Sequence, residues 1–315
     1  MMIGVSCLIQ TVLSTLYEVI VPLSIPVLAG ALLYRYQKLD TKPLLTLYLY
    51  FLSPAIILDT LAHAEISYDD IYLTLAFALL NLLVLWVVAS GLGRLLKSSA
   101  ADRAGLTLIS ALTNSVNYGL PLVLLAFGQA GLDKASVYVI SQMIIANTVG
   151  VYFAARSSFS VRSAVKSVFS LPAIYAAILA LILRSFHLHL PAEVERGVTM
   201  AAGAYSPVVL AILGAQMMKV GTMPAVKEGQ SVFWTGLVMR LVGGPLLALA
   251  VLTLLGVTGT LRSVLFILAS MPVAVNAVVL AERFDASPSL VSRCIMWTTL
   301  ASFAALPVLI SAISG

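Results

Sequence analysis

A helix that crosses a bilayer needs about 20 predominantly apolar residues in a row. This chain supplies such runs ten times, at 8–34, 43–62, 70–96, 104–128, 134–155, 168–186, 197–220, 229–257, 261–283 and 288–314. The connections between them are short and leave no room for a soluble domain. Of the 315 residues, 61% are hydrophobic and 10% are charged, against roughly 25% charged in a soluble globule. A chain this apolar cannot cover its core with polar surface in water, so lipid is its expected solvent. The expected fold class is all-α integral membrane, with ten transmembrane helices.

Lysine and arginine orient the spans. The loops after spans one, three and five carry Arg35, Lys38 and Lys42, then Arg94, Lys97 and Arg103, then Arg156, Arg162 and Lys166. Later loops of the same parity add Lys219, Lys227, Arg283 and Arg293. The opposite set holds Lys134, Arg184, Arg196 and Arg262, beside the acidic stretches 63–70 and 193–195. Thirteen cations against four place the basic loops in the cytoplasm and both termini on the outer side of the cell (inner) membrane. The net charge of +5 then belongs to topology, and no nucleic-acid partner is expected. Cys7 and Cys294 read as small buried hydrophobes. His63, His187 and His189 have no metal-ligand spacing. No basic region precedes the first apolar run, so no cleavable signal is expected. No HExxH, paired intramembrane aspartates or Walker A loop occurs, which argues against an enzyme and against an ATP-driven pump.

Proline placement divides the spans into two sets. Pro22 and Pro172 match across spans one and six, Pro54 and Pro207 across spans two and seven, and Pro121 and Pro272 across spans four and nine. The offsets are 150, 153 and 151. A five-span repeat makes the halves enter from opposite sides, so 1–155 and 156–315 are expected to be inverted repeats.

Proline inside a helix frees a carbonyl, and in lipid such a group must line a cavity or lie buried in protein. Asn114, Asn117, Gly119 and Pro121 cluster breakers with amides in mid-span four, and Pro272 with Asn276 does so in span nine. If both helices break and cross, their half-helix N-termini face the midplane and suit an anion. The competing reading is a pair of tightly packed proline kinks. Charged residues within spans are functional candidates by default. Arg240 is either a ligand for a substrate carboxylate or a structural cation bonded to carbonyls of the broken helices. Asp59 is either a protonation site or an interfacial carboxylate, and Glu18 belongs near the outer surface. Gln142, with Ser141 and Asn147, makes span five polar, either toward the crossover or for interhelical hydrogen bonds.

These residues resemble the auxin efflux carrier family, which includes the plant PIN-formed carriers and bacterial permeases. The pattern Asn-x-x-x-x-Gly-x-Pro appears as Asn114 to Pro121, followed by Phe127-Gly128. Arg240-Leu-Val-Gly-Gly244-Pro245 is similar to the family's Arg-x-x-x-Gly-Pro, and Ala281-Glu282-Arg283-Phe284 is similar to its span-nine ending. Val21-Pro22-Leu23 and Gln142 also fit. The chain departs from the plant carriers at Asn276, where they carry a second proline, and in its short loop 156–166. The resemblance implies a fold like that of bile-acid symporters and sodium/proton antiporters. Spans one, two, six and seven would form a scaffold, with a homodimer among the implied partners. Spans three to five and eight to ten would form an elevator-type transport domain, with Asn114 meeting the substrate. The expected function is secondary or facilitative transport of a small organic anion, with no cofactor beyond a coupling proton or sodium ion. A cation/proton antiporter of similar fold and a non-transporting ligand sensor are the alternatives.

Overall fold

The computed structural model describes residues 10–64, 66–155, 161–221 and 230–314. Cys7, Arg156 and Lys227, all weighed above, lie outside the described residues. The chain is mostly helical in these segments, and seven of the described helices are long and apolar enough to cross a membrane. In chain order we label α1 (Gln10–Gln37), α2 (Thr41–His63), α3 (Tyr68–Leu95), α4 (Ala100–Ala111) and α5 (Leu120–Asn147). Then follow α6 (Val149–Ala155), α7 (Val161–Phe169), α8 (Pro172–Ser185), α9 (Ala192–Gly221) and α10 (Gln230–Leu254). The last are α11 (Gly259–Ala269), α12 (Ala277–Phe284) and α13 (Pro288–Ser314).

Several boundaries differ from expectation, each for a physical reason. The loop expected between spans four and five is one residue, Gly128, at φ 64° and ψ −162° within α5. A positive φ of this kind suits glycine, so the chain turns there without leaving helix on either side. Span six is the 14-residue α8, about 21 Å long at the usual rise. The expected loop before it is partly helical. In α7, Val161, Val165 and Val168 alternate with Arg162 and Lys166 at helical spacing, the pattern of an interfacial helix.

The four wide π-turns among the described residues share one cause. Leu16–Ile20, Tyr48–Leu52, Ser115–Gly119 and Met239–Gly243 each end two residues before a proline, at Pro22, Pro54, Pro121 and Pro245. A proline ring clashes with the carbonyl four residues back and has no N–H to give it. Widening the turn lets the preceding residue donate five residues back instead, as Leu120 does to Ser115. Pro121 therefore sits within a continuous helix and does not break it. The break in span four lies upstream, at Leu112–Asn114, and pairs with the break at Pro272–Ala274. Thr113 and Val273 form an antiparallel bridge, flanked by Asn114 N–H to Pro272 O at 2.8 Å and Ala274 N–H to Leu112 O at 2.9 Å. The two residues of the bridge are 160 apart, and the Pro121/Pro272 pairing is corrected: Pro272 lies in its break and Pro121 does not.

Packing follows two groups. α9 lies along α1 and α2, and α8 packs on α2. The α1–α9 crossing is close because glycines face backbone on both sides. A Cβ on Gly30 would sit 1.9 Å from Ala211 O, and one on Gly214 would sit 1.9 Å from Val27 O. The second group gathers α3, α4, α5, α10, α11 and α13. At its edge Lys134 Nζ meets Asp70 Oδ2 at 2.8 Å.

Candidate functional site

Two helices end and two begin at the paired breaks. α4 and α11 stop at Ala111 and Ala269, which leaves last-turn carbonyls without helical donors. Arg240, fully buried at 0% exposure, answers them. Its Nη1 donates to Ser110 O at 2.9 Å and its Nη2 donates to Ala269 O. One guanidinium thus caps both half-helices, with a fixed fork that a lysine lacks. This is the structural-cation alternative for Arg240.

On the other side of the breaks the two helix starts leave their first amides open. Just before α12, Val275 and Asn276 N–H have no acceptor among the described residues, and the turns close only from Ala277 N–H to Ala274 O at 3.0 Å and Val279 N–H to Asn276 O at 3.2 Å. At Ser115, Val116 and Asn117 no acceptor among the described residues faces the amides. Both helix starts thus keep amides unpaired among the described residues, three at Ser115, Val116 and Asn117 and two at Val275 and Asn276.

A cavity of about 380 Å³ opens beside these amides. Asn114, Val116 and Asn117 line one wall, and Ala274, Asn276 and Leu280 line another. Gln142, Met143 and Asn147 of α5 close a third, and Leu45, Tyr48 and Leu49 of α2 face them. Asn114 is 3% exposed and Asn117 is 4% exposed, yet Asn114 Nδ2 and Asn117 Oδ1 have no hydrogen-bond partner. Unsatisfied buried amides of this kind are costly, and both belong to residues on the cavity wall. No charged side chain lines it among the described residues.

Four sequence candidates thus come together: Asn114, Asn117, Gln142 and Asn276. The others lie elsewhere. Gly119 packs against α11, where a Cβ would sit 2.6 Å from Leu268 Cδ2. Pro121 is buried in α5. Pro272 contributes its carbonyl to Asn114 N–H, and Asp59 accepts from Thr199 Oγ1 at 2.7 Å near the α2–α9 ends. Beside it His63 Nε2 meets Glu195 Oε1 at 2.9 Å, so this cluster joins helix ends. Glu18 is exposed in the first π-turn. The α2 wall, Tyr48 above all, was missed. Its only sequence signal is a position one turn before Ser53-Pro54.

A family model described as "Membrane transport protein" matches residues 15–163 and 156–310. The chain is 27% identical over 204 residues to the uncharacterized transporter MJ1031 of Methanocaldococcus jannaschii, covering 62% of this chain and 63% of that protein. It is 29% identical over 204 residues to an uncharacterized transporter of Methanothermobacter thermautotrophicus, covering 64% of this chain and 66% of that protein. The matched stretch thus spans just under two thirds of each relative.

Proposed function

We propose that this chain, which belongs to the Membrane transport protein family of auxin-efflux-type carriers, moves a small organic anion across the bilayer by elevator-type alternating access. The family and the apolar helices make it a multi-pass membrane protein. Within that frame we read ten crossings as two inverted sets of five, with both termini outside. α1, α2, α8 and α9 act as the scaffold, and the helices around the breaks act as the moving body.

The observation that carries the anion reading is the electrostatics of the breaks. A helix end bears roughly half an elementary charge, positive at the N-terminus and negative at the C-terminus. Arg240 offsets both C-termini, so the open amides of Ser115, Val116 and Asn117 are left uncompensated at the cavity. A carboxylate there accepts from backbone N–H groups and from Asn114 Nδ2, while Asn117, Gln142 and Asn276 orient the rest of the molecule. A cation/proton antiporter calls for a carboxylate at the crossover, and none lines this cavity among the described residues.

The test is binding and uptake together. Small mono- and dicarboxylates are screened by thermal shift, with and without sodium and at two pH values, and hits are followed as labelled uptake into proteoliposomes. A bound carboxylate raises the melting temperature by mass action. Asn114→Ala loses one charge-assisted hydrogen bond and weakens that ligand about tenfold. Full affinity and uptake in a folded Asn114→Ala protein would overturn the site.

A further inference from the structure

A second cleft lies on the lipid side of α3, away from the breaks. Its apolar part, about 280 Å³, is walled by Leu79, Leu83 and Trp86 of α3 and by Tyr152 and Phe153 of α6. It continues, through the shared walls Trp86, Tyr152 and Phe153, into a polar part of about 250 Å³ that holds Ser90, Arg94, Arg103 and Thr107. On α3 the wall residues step by helical spacing toward the chain's basic end, and 79 to 94 is about 22 Å at the usual rise. The cleft is therefore one strip with an apolar length and a cationic tip at the helix end.

The walls are built to stay. Trp86 and Phe153 stack at 6.0 Å with 16° between their planes. The Arg103 stem lies over Gly93, where a Cβ would sit 2.8 Å from its Cγ, and its Nη1 donates to Ser98 O at 2.7 Å. Arg94 is exposed in the last turn of α3 and has no hydrogen bond or ion pair to its guanidinium among the described residues. Asp102, the neighbouring carboxylate, is turned to Ser99 Oγ at 2.9 Å and Ser287 Oγ at 2.6 Å. The tip is thus two cations with hydroxyls beside them and no carboxylate on the wall.

We infer that this strip is a binding site for one anionic phospholipid, its phosphate between Arg94 and Arg103 and an acyl chain along Trp86 and Phe153. Basic pockets between helices at a membrane surface take anionic headgroups by this combination, and a zwitterionic lipid gains little from two cations. The α6 wall follows Asn147 of the cavity by two residues at Val149, across a break in the helix at Thr148, so an occupied strip bears on the helix that carries Gln142.

The test uses the full chain in phosphatidylcholine vesicles, with Trp234→Phe and Trp297→Phe so that Trp86 alone reports. Chain-brominated phosphatidylglycerol or chain-brominated phosphatidylcholine is added as a minor component, and quenching is compared at equal fraction. The anionic lipid is expected to be favoured at Trp86 by about fivefold for each arginine. Arg94→Gln, at an exposed position, lowers that preference about fivefold, and Ser90→Phe, which fills the polar part without changing charge, removes it. Equal quenching by the two lipids would overturn the site. So would a preference untouched by both substitutions, or protection by inorganic phosphate as complete as by the lipid.

Discussion

Arg240 shows how one side chain can decide whether a broken pair of helices is tolerable in lipid. A buried guanidinium without partners is among the most costly groups in a protein interior, and here its partners are carbonyls that breaking α4 and α11 would otherwise leave unmet. Each cost offsets part of the other, and the charge sits at 0% exposure on two carbonyls while its Nε has no hydrogen-bond partner among the described residues. Arg240→Leu removes the charge and strands Ser110 O and Ala269 O, a loss of about 1–3 kcal/mol for each. Arg240→Lys keeps the charge on a compact head that lacks the two-armed geometry, and recovers only part of the loss. Thermal denaturation in detergent should order the three proteins with the native chain highest, lysine intermediate and leucine lowest. A leucine variant as stable as the native chain would show that the carbonyls find other donors. That residue was noticed from sequence as a charge deep in an apolar run, but its role stayed open between substrate and structure. Partners more than a hundred positions away, such as Ser110, leave no trace in local pattern.

At the scale of elements, glycine and proline do different jobs that look alike in sequence. Gly128 at φ 64° makes the turn inside α5, and a Cβ there meets no neighbour within 4 Å. Gly128→Ala therefore costs backbone strain alone, about 1–3 kcal/mol, because this φ, ψ region is essentially confined to glycine. Gly214→Ala is another case, since its new Cβ would press on Val27 O at 1.9 Å and force α1 and α9 apart. A backbone shift of that kind in a packed core costs about 1–3 kcal/mol or more, and Gly214→Val costs more still. Urea or thermal melts of the three variants, with the valine variant falling furthest, check this ranking. The helical spans and the clustering of breakers near Asn114 were legible in the sequence, because apolar run length and Pro-Gly punctuation are local signals. The position of the break was not. Pro121 marks a widened turn, whereas the chain opens seven to nine residues earlier, where Leu112 to Asn114 trade helical hydrogen bonds for a bridge to Val273. Proline offsets located the right pair of spans and the right residue in span nine but the wrong one in span four, since a π-turn absorbs a proline that would break an ordinary helix.

For the whole molecule, the elevator reading requires that something be made and unmade between the α1–α2–α8–α9 group and the body around the breaks. Tyr205 of α9 is placed for this. It is buried, its hydroxyl donates to Val116 O at 2.9 Å, and its ring lies 5.9 Å from that of Tyr48 on the cavity wall. Val116 belongs to the widened turn, so the carbonyl that takes this bond stands beside the amides assigned to the anion. The bond joins the two groups in this arrangement, and a sliding of one past the other must break it. Its removal then alters the balance between arrangements by its own net worth, about 1 kcal/mol, or about fivefold in the equilibrium, and leaves the cavity's asparagines and Gln142 in place. Tyr205→Phe should accordingly change the rate of uptake into proteoliposomes several-fold, while a ligand's affinity changes by no more than the same population factor. Asn114→Ala gives the opposite pattern, with affinity lost first. If Tyr205→Phe left both the rate and the affinity as they are, the contact would be static and the boundary between moving and fixed helices would lie elsewhere.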